Sequence, residues 1–190
     1  MILGITGGTG CGKTTLLRQI EARGGLVLDC DAVYHDLLTR DMALLNAIND
    51  RFPGVVVDKK LERKRLGAIV FADEQALRDL NAITHGAIKG EILRRLKDAP
   101  ALAAIDAIAL FEGGLAELCD ATVAVCAPLE ARVERLMQRD GITREYAENR
   151  IRAQKPEEWF REMCAHTLYN NGTREEFEDQ CAALLDKLLK

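Results

Sequence analysis

The chain has 190 residues, of which 48% are hydrophobic and 29% are charged, and its formal net charge is −4. This composition excludes a disordered chain and suffices for one domain with a core. The slightly negative charge provides no general attraction to nucleic acid or to an anionic membrane, so neither is expected as a partner. No apolar segment is long enough for a membrane span and no signal-peptide pattern is present, which favours a cytoplasmic protein. The sequence does not indicate the oligomeric state.

The first fifteen residues carry the most specific pattern. A short apolar run at 2–6 is followed by Gly-Gly-Thr-Gly-Cys-Gly-Lys-Thr-Thr at 7–15 and by apolar residues at helical spacing. This order predicts a strand, a glycine-rich turn and a helix, and it fits the phosphate-loop motif G-x-x-x-x-G-K-[ST]. Glycines let backbone N–H groups converge, and a helix N-terminus adds further donors and a positive dipole end. The segment is therefore expected to bind a polyphosphate.

Two side chains of this segment have specific expected roles. Lys13 is placed to reach the β- and γ-phosphates of ATP, and the hydroxyl of Thr14 is placed to ligate Mg²⁺, the expected cofactor. The residues expected to contact ATP are Gly8, Thr9, Gly10, Cys11, Gly12, Lys13, Thr14 and Thr15. The six cysteines of the chain form no C-x-x-C pair and lie at no metal-site spacing from the histidines, which favours reduced thiols.

A second predicted strand, at 25–29, ends in Asp29-Cys30-Asp31. The active crevice of an α/β sheet lies beyond the carboxyl ends of its strands. One of these carboxylates, with Asp31 favoured, is therefore a candidate to accept a proton from an attacking hydroxyl or to hold Mg²⁺. An alternative and compatible role for Asp31 is the N-cap of the following helix.

The rest of the chain alternates helices and strands. Apolar spacing predicts a helix over 32–49 and almost continuous helix over 60–97, with breaks near Ala72-Asp73 and Gly86. Strands are predicted at 101–106, 121–126 and 165–169, a helix at 129–139, and a final helix opened by a capping box of Thr173 and Glu176. This alternation predicts a three-layer α/β domain with a central parallel sheet.

Two segments contain candidate functional residues outside the strands. No strand is predicted in the block at 60–97, and a nucleotide-kinase plan inserts its acceptor-binding lobe there, with Arg63 and His85 as candidates. A solvated arginine and a locally hydrogen-bonded histidine are the alternatives. The segment from Arg139 to Gln154 is rich in arginine, as the lid of a phosphoryl-transfer enzyme must be to exclude water and to supply positive charge. For Arg144 and Arg150, a solvated charged face is the favoured interpretation.

The order of motifs resembles the dephospho-coenzyme A kinase family over nearly the whole chain. Beyond the phosphate loop, the matching segments are Asp29-Cys30-Asp31; Leu61, Arg63, Leu66, Val70 and Phe71; Leu80, Asn81, Ile83 and His85; Leu110-Phe111-Glu112 of the family's third strand; Gln138-Arg139-Asp140; Ala153-Gln154; and Asn170-Asn171-Gly172. The chain departs from the family pattern at Gly86, at Ile108-Ala109 and near Cys164-Ala165. The resemblance suggests a divergent member.

The resemblance implies a P-loop kinase fold with a core at 1–58, 98–138 and 161–190, an acceptor lobe at about 59–97 and a lid at about 139–160. The implied reaction is Mg²⁺-dependent phosphorylation of the 3′-hydroxyl of dephospho-CoA by ATP, with Asp31, Lys13 and Arg139 as catalytic residues. Asn171 and Gly172 would lie near the adenine of ATP. The implied acceptor-binding residues are Asp31, Arg63, His85, Leu110, Phe111 and Glu112.

Two alternatives remain open at the level of sequence. One is a P-loop kinase of another small acceptor, such as a nucleoside monophosphate or a similar alcohol, which the departures on the acceptor side allow. The other is a non-catalytic nucleotide-binding protein, although such a protein would need neither Asp31 nor the arginine-bearing lid.

Overall fold

A computed structural model describes all residues from Met1 to Lys190. The strands are β1 Ile2–Thr6, β2 Leu26–Asp29, β3 Val56–Val57, β4 Lys60–Leu61, β5 Ala103–Asp106, β6 Ala121–Cys126 and β7 His166–Tyr169. The helices are α1 Lys13–Ala22, α2 Cys30–Arg40, α3 Met42–Arg51, α4 Arg63–Val70, α5 Glu74–Leu96, α6 Leu129–Asp140, α7 Arg144–Arg152, α8 Glu157–Met163 and α9 Arg174–Leu188.

Five strands form the central sheet in the order β2-β5-β1-β6-β7. Strand β1 pairs in parallel with β5 and β6, and β6 pairs in parallel with β7. Strands of this sheet are covered on both faces, which is why β1 and β6 are apolar along almost their whole length. The predicted α/β architecture with a central parallel sheet is confirmed.

The two faces of the sheet carry different helices. Val123 and Val125 of β6 pack with residues of α1 and α9 in one core cluster, whereas Ala124 and Cys126 pack against Phe160 of α8 on the other face. This division follows from the two-residue period of a strand. Helices α6 and α7 share a smaller core of their own, made by Val133, Leu136, Ala147 and Ile151.

The chain forms two compact units. The first contains Met1–Leu28, Ala99–Phe111 and Leu115–Lys190, and the second contains Asp29–Asp98 and Glu112–Gly114. Within the second unit, α2, α3 and α4 all pack against the long helix α5. The antiparallel pair β3–β4 turns through Asp58 and Lys59, whose φ values of 48° and 61° lie in the left-handed region. The prediction that 60–97 contains no strand was wrong, because β4 at Lys60–Leu61 is a two-residue strand that exists only through its pairing with β3.

Two predictions on helix boundaries in the second unit were wrong. Helix α5 runs through Gly86 without a break, because a single glycine costs only about 1 kcal/mol in a helix that packs against three others. The predicted helix over 32–49 is two helices that meet at Asp41, whose side chain caps α3 by accepting from the N–H groups of Ala43 and Leu44. The predicted break near Ala72-Asp73 is confirmed.

Two further local predictions need correction, and one helix was not predicted. The N-cap of α2 is Asp29 and not Asp31: Asp29 Oδ1 accepts from the N–H groups of Asp31 and Ala32 at 2.8 and 3.1 Å. An additional helix, α8, begins directly after Pro156. The Leu110-Phe111-Glu112 segment lies in turns beyond the end of β5, not in a strand.

Three helix termini show well-defined caps, of which the capping box at the start of α9 was predicted. Gly141, with φ of 64°, ends α6 in the left-handed conformation, and Thr143 caps α7. Thr173 and Glu176 form the capping box of α9. None of the helices combines the length and the apolar character needed to cross a bilayer.

Candidate active site

The glycine-rich turn connects the end of β1 at Thr6 with the start of α1 at Lys13. Gly7, Gly10 and Gly12 have φ values of 134°, 77° and 102°, which side-chain-bearing residues rarely adopt. A Cβ atom at Gly7 would lie 2.2 Å from the carbonyl oxygen of Val125 in the neighbouring strand. The loop therefore requires glycine both for its backbone conformation and for its close packing against β6.

The backbone carbonyls of the loop are held from outside by three side chains. Arg132 Nε donates to Thr9 O at 2.9 Å, and Arg135 Nη1 donates to Gly10 O at 3.1 Å and Cys11 O at 3.3 Å. Asn170 Nδ2 also donates to Cys11 O, at 2.9 Å.

These contacts also orient the N–H groups of the loop. In a trans peptide the C=O and N–H groups point in opposite directions, so fixing the carbonyls of Thr9 and Cys11 turns the N–H groups of Gly10 and Gly12 away from the clamping side chains. Oriented donors of this kind are the feature of an anion-binding nest, which is the role expected of the loop.

Lys13 carries the positive charge that is nearest to the loop in sequence. Its Nζ atom donates to Gly7 O at 3.1 Å and lies 3.8 Å from Oδ1 of Asp106, the last residue of β5. Both side chains are largely buried, with 14% and 17% of their surfaces exposed. The lysine is therefore folded over the loop at the position where a phosphate chain is expected.

The oxygen atoms near Lys13 are of the type that Mg²⁺ prefers. Thr14 follows Lys13 in the first turn of α1 and is exposed, and Asp106 supplies a carboxylate beside Lys13. Mg²⁺ is usually bound through one or two protein oxygens together with substrate phosphates and water. A threonine hydroxyl and a carboxylate fit that donor set.

Cys11 lies in the loop but is almost fully buried, with 2% of its surface exposed. Burial raises the pKa of its thiol, although the charges of Lys13 and Arg132 act in the opposite direction. The side chain therefore remains a neutral thiol that packs in the core. Its contribution to the loop is its backbone, whose carbonyl is held by Arg135 and Asn170.

The arginine-rich segment is internally paired. Arg139, which is well exposed, makes a two-point contact with Asp140, and Arg150 pairs with the same carboxylate at 2.7 Å. The hydrogen bond from Arg139 is the main cause that lowers the pKa of Asp140 to about 2. Arg144 is exposed and contacts only carboxylates of α6 and α7, as expected for a solvated charged face.

Asp31 and Arg63 both lie in the second unit and are linked through His35. The Asp31 carbonyl is 2.7 Å from Nδ1 of His35, and Nε2 of His35 is 3.4 Å from Nη1 of Arg63. The Asp31 side chain is exposed in the first turn of α2, and His85 is half-buried in α5.

The turn after β5 contains one buried and two more accessible candidates. Leu110 is fully buried, and its carbonyl accepts from the N–H groups of Leu115 and Ala116 at 3.0 Å, which indicates a structural role. Phe111 is half-buried and packs edge-to-face against Trp159, with ring centroids 5.7 Å apart. Glu112 is exposed.

Asn171 and Gly172, expected near the adenine of ATP, are exposed in the turn between β7 and α9. The preceding residue, Asn170, is buried and contacts the phosphate loop directly.

The side chains that hold the loop from outside were not predicted from the sequence, namely Arg132, Arg135, Asn170 as a loop ligand and Gln154 as a contact of Thr9. They are more than 100 positions from the loop, and their spacing in the sequence carries no signal for that contact. For Asp106, the position of an acid at the end of an apolar strand was a weak signal.

A sequence model of the dephospho-CoA kinase family matches residues 1–176. The dephospho-CoA kinase of Deinococcus radiodurans is 39% identical over 192 residues, covering 98% of this chain and 91% of the relative. The enzyme of the same name from Thermus thermophilus is 36% identical over 190 residues, covering 99% and 92%.

Solved structures give the same result. A crystal structure of a Thermus thermophilus protein superposes with a TM-score of 0.83 at 35% identity, covering 99% of this chain and 97% of that one. The dephospho-CoA kinase of Campylobacter jejuni gives a TM-score of 0.68 at 25% identity, covering 98% and 96%. Shikimate kinase from Acinetobacter baumannii, at 18% identity and a TM-score of 0.56, shares the fold. The chain belongs to the dephospho-CoA kinase family, a family of ATP-dependent kinases.

Proposed function

We propose that the protein transfers the γ-phosphate of ATP to the 3′-hydroxyl of dephospho-CoA, giving CoA and ADP. The observation that carries the proposal is the preorganised phosphate loop in a chain whose family match runs from residue 1 to residue 176. The loop accounts for the phosphoryl donor, and the family accounts for the acceptor.

The proposed role of the loop is to stabilise the charge that spreads over the transferring phosphoryl group. The N–H groups of Gly10 and Gly12 point away from the carbonyl clamps, and the Lys13 ammonium is held beside the loop by Gly7 O. Phosphoryl transfer involves little covalent chemistry by the protein, so positioning and electrostatic stabilisation account for most of the acceleration. Gly8, Thr9, Cys11 and Thr15 complete the proposed ATP contacts.

Mg²⁺ is the proposed cofactor, with Thr14 as its ligand and Asp106, whose carboxylate lies 3.8 Å from Lys13 Nζ, as a second oxygen donor. When bound, the ion would neutralise phosphate charge and align the γ-phosphate.

We propose that Asp31 orients the attacking ribose hydroxyl and accepts its proton. Its carboxylate is exposed and makes no cap contact, because Asp29 caps α2 instead. Arg63, His85, Phe111 and Glu112 are the proposed acceptor contacts, whereas Leu110 would act through packing of the turn.

The proposed division of the chain keeps the core at 1–58, 98–138 and 161–190, the acceptor lobe at about 59–97 and the lid at about 139–160. Within the lid, Arg139 is the proposed cationic clamp on the transferring phosphate. To play that role, Arg139 must give up its contact with Asp140 and bind the phosphate instead. Asn171 and Gly172 are the proposed adenine contacts.

An acceptor-competition assay tests the proposal. The purified protein is incubated with Mg²⁺-ATP, and ADP release is measured with no acceptor, with dephospho-CoA, with a nucleoside monophosphate and with shikimate. We expect release to depend on dephospho-CoA and the other acceptors to give little stimulation. Stimulation by another acceptor would reassign the substrate, and acceptor-independent binding of ATP without turnover would support a non-catalytic nucleotide-binding protein.

A further inference from the structure

Gln154 contacts the phosphate loop from the end of the α6–α7 pair. Its Oε1 atom accepts from the backbone N–H of Thr9 at 2.8 Å and lies 3.5 Å from Nη2 of Arg132. Arg132 in turn donates through Nε to Thr9 O at 2.9 Å. Two consecutive peptide groups of the loop, one on each side of Thr9, are thus held by side chains from outside.

The cluster is shielded from water. Thr9 and Arg132 are each 8% exposed. A Cβ atom at Gly8 would lie 2.2 Å from Nη2 of Arg132, so the guanidinium packs directly on the loop backbone. Burial lowers the pKa of Arg132, with the charge of Glu157 among the opposing influences. A shielded N–H group without an acceptor destabilises the structure. Oε1 of Gln154 supplies the acceptor that the N–H group of Thr9 requires.

Gln154 is mechanically linked to α7 and α6. It follows the end of α7 at Arg152 by two residues, and its own N–H donates to Ile151 O at 3.1 Å. Ile151 belongs to the small apolar core that joins α7 to α6. The position of Gln154 is therefore set by the packing of the helix pair and not by the loop alone.

We propose that Gln154 is a positioning residue that fixes the Thr9 peptide and so keeps the loop in its ATP-binding shape. Gln154 acts on the loop backbone and not on the reacting atoms, so the contribution is the same in the ground state and in the transition state. Loss of such a uniform contribution raises the KM for ATP and leaves kcat nearly unchanged. The inference rests on the proposed binding of ATP at the loop and is independent of the identity of the acceptor.

The test compares the parent protein with Gln154→Met, which has a similar length but no oxygen. We expect the calorimetric Kd for Mg²⁺-ATP and the KM for ATP to rise about tenfold, the size expected from one lost hydrogen bond to a shielded group. kcat should change less than about twofold, and the KM for the acceptor should not change. Arg152→Met is the matched control, because Arg152 is exposed and pairs only with Glu148 within α7.

Amide hydrogen exchange at Thr9 provides a readout that does not depend on turnover. Exchange should accelerate in Gln154→Met and stay slow in Arg152→Met. It should also stay slow in Gln154→Glu, which keeps an acceptor oxygen and so tests the contact even if the Met variant folds poorly.

Unchanged ATP affinity and unchanged Thr9 exchange in folded Gln154→Met would overturn the inference, as would a loss confined to kcat. Equal acceleration of exchange in the Met and Glu variants would also overturn it. Failure of the parent to bind Mg²⁺-ATP would overturn both this inference and the proposed function, whereas normal ATP binding with no acceptor-dependent turnover would contradict the proposed function alone.

Discussion

Glu91 offers a sharp test of the forces that hold the second unit together. Its side chain is 6% exposed, and its carboxylate accepts hydrogen bonds from Arg94, Arg95 and Arg40 at 2.7 to 2.8 Å. The bond from Arg94 is the largest cause that lowers the pKa of Glu91 from 4.5 to about 2. This carboxylate links α5 to α2, the helix whose first turn carries Asp31.

The magnitude follows from linkage between protonation and folding. A folded-state pKa of about 2 in place of 4.5 corresponds to at most about 3 to 4 kcal/mol, at about 1.4 kcal/mol per pH unit. The side chains of the three arginines are 32% to 64% exposed, and solvent screening reduces the expected effect to about 2 kcal/mol. Because the folded pKa is lowered, this stabilisation is complete above about pH 5 and is lost as the pH falls towards 2.

Urea unfolding of the parent and of Glu91→Gln, followed by circular dichroism, measures this effect. At pH 7 the variant should be about 2 kcal/mol less stable, and the difference should narrow steadily between pH 5 and pH 3. Glu74→Gln is the control: its side chain is 93% exposed, and its contact with Arg78 within α5 should contribute less than about 0.5 kcal/mol. Two results would refute this explanation. One is a stability difference between the parent and Glu91→Gln that does not vary with pH, and the other is a difference no larger than that of Glu74→Gln.

The remaining predictions concern the proposed chemistry. Lys13→Ala should keep the fold, because the Lys13 side chain is not part of the apolar core. It should lower kcat/KM for ATP by about a hundredfold or more. Near-parental activity in steady-state kinetics would exclude Lys13 from the mechanism. Asp31→Asn should lower kcat by about a hundredfold or more while the Kd for Mg²⁺-ATP changes little, because the proposed partner of Asp31 is the acceptor hydroxyl. A parallel loss of ATP binding, measured by calorimetry, would instead indicate a role of Asp31 in metal binding or structure.

Local signals explain why much of the fold could be predicted from the sequence. The glycine-rich turn lies between an apolar run and a helical pattern, and all three features lie within twenty residues. The side chains of Thr173 and Glu176 each accept a hydrogen bond from the backbone N–H of the other residue. The start of α9 is therefore encoded in four consecutive residues. Strand β6 was predicted at its observed limits, because a β-branched run ends at a proline.

Elements governed by tertiary packing were harder to predict. Gly86 looks like a helix breaker, but α5 is 23 residues long and packs against α2, α3 and α4, which outweighs the local cost of glycine. Asp29 and Asp31 both have the residue type of an N-cap, and only the backbone geometry at the end of β2 selects Asp29.

The candidate site, too, could be predicted only in part from local sequence signals. The residues that would touch phosphate follow from the motif, whereas those that hold the motif in shape do not. Arg132 contacts Thr9 across 123 positions, and Asn170 contacts Cys11 across 159 positions. Apart from Arg63, the arginines predicted to be functional lie in the arginine-rich segment from Arg139 to Gln154. Arg132 and Arg135 of α6, which bind the loop, lie just before that segment and were not predicted.

The most direct test of the central claim is the identity of the phosphorylated product. The protein is incubated with Mg²⁺-ATP and dephospho-CoA, and the products are separated and analysed by mass spectrometry and phosphorus NMR. We expect one ADP for each acceptor phosphorylated and a new phosphate monoester on the ribose 3′-oxygen, that is, CoA. ADP formed without a phosphorylated acceptor, or no reaction from a protein that binds ATP normally, would contradict the proposed function.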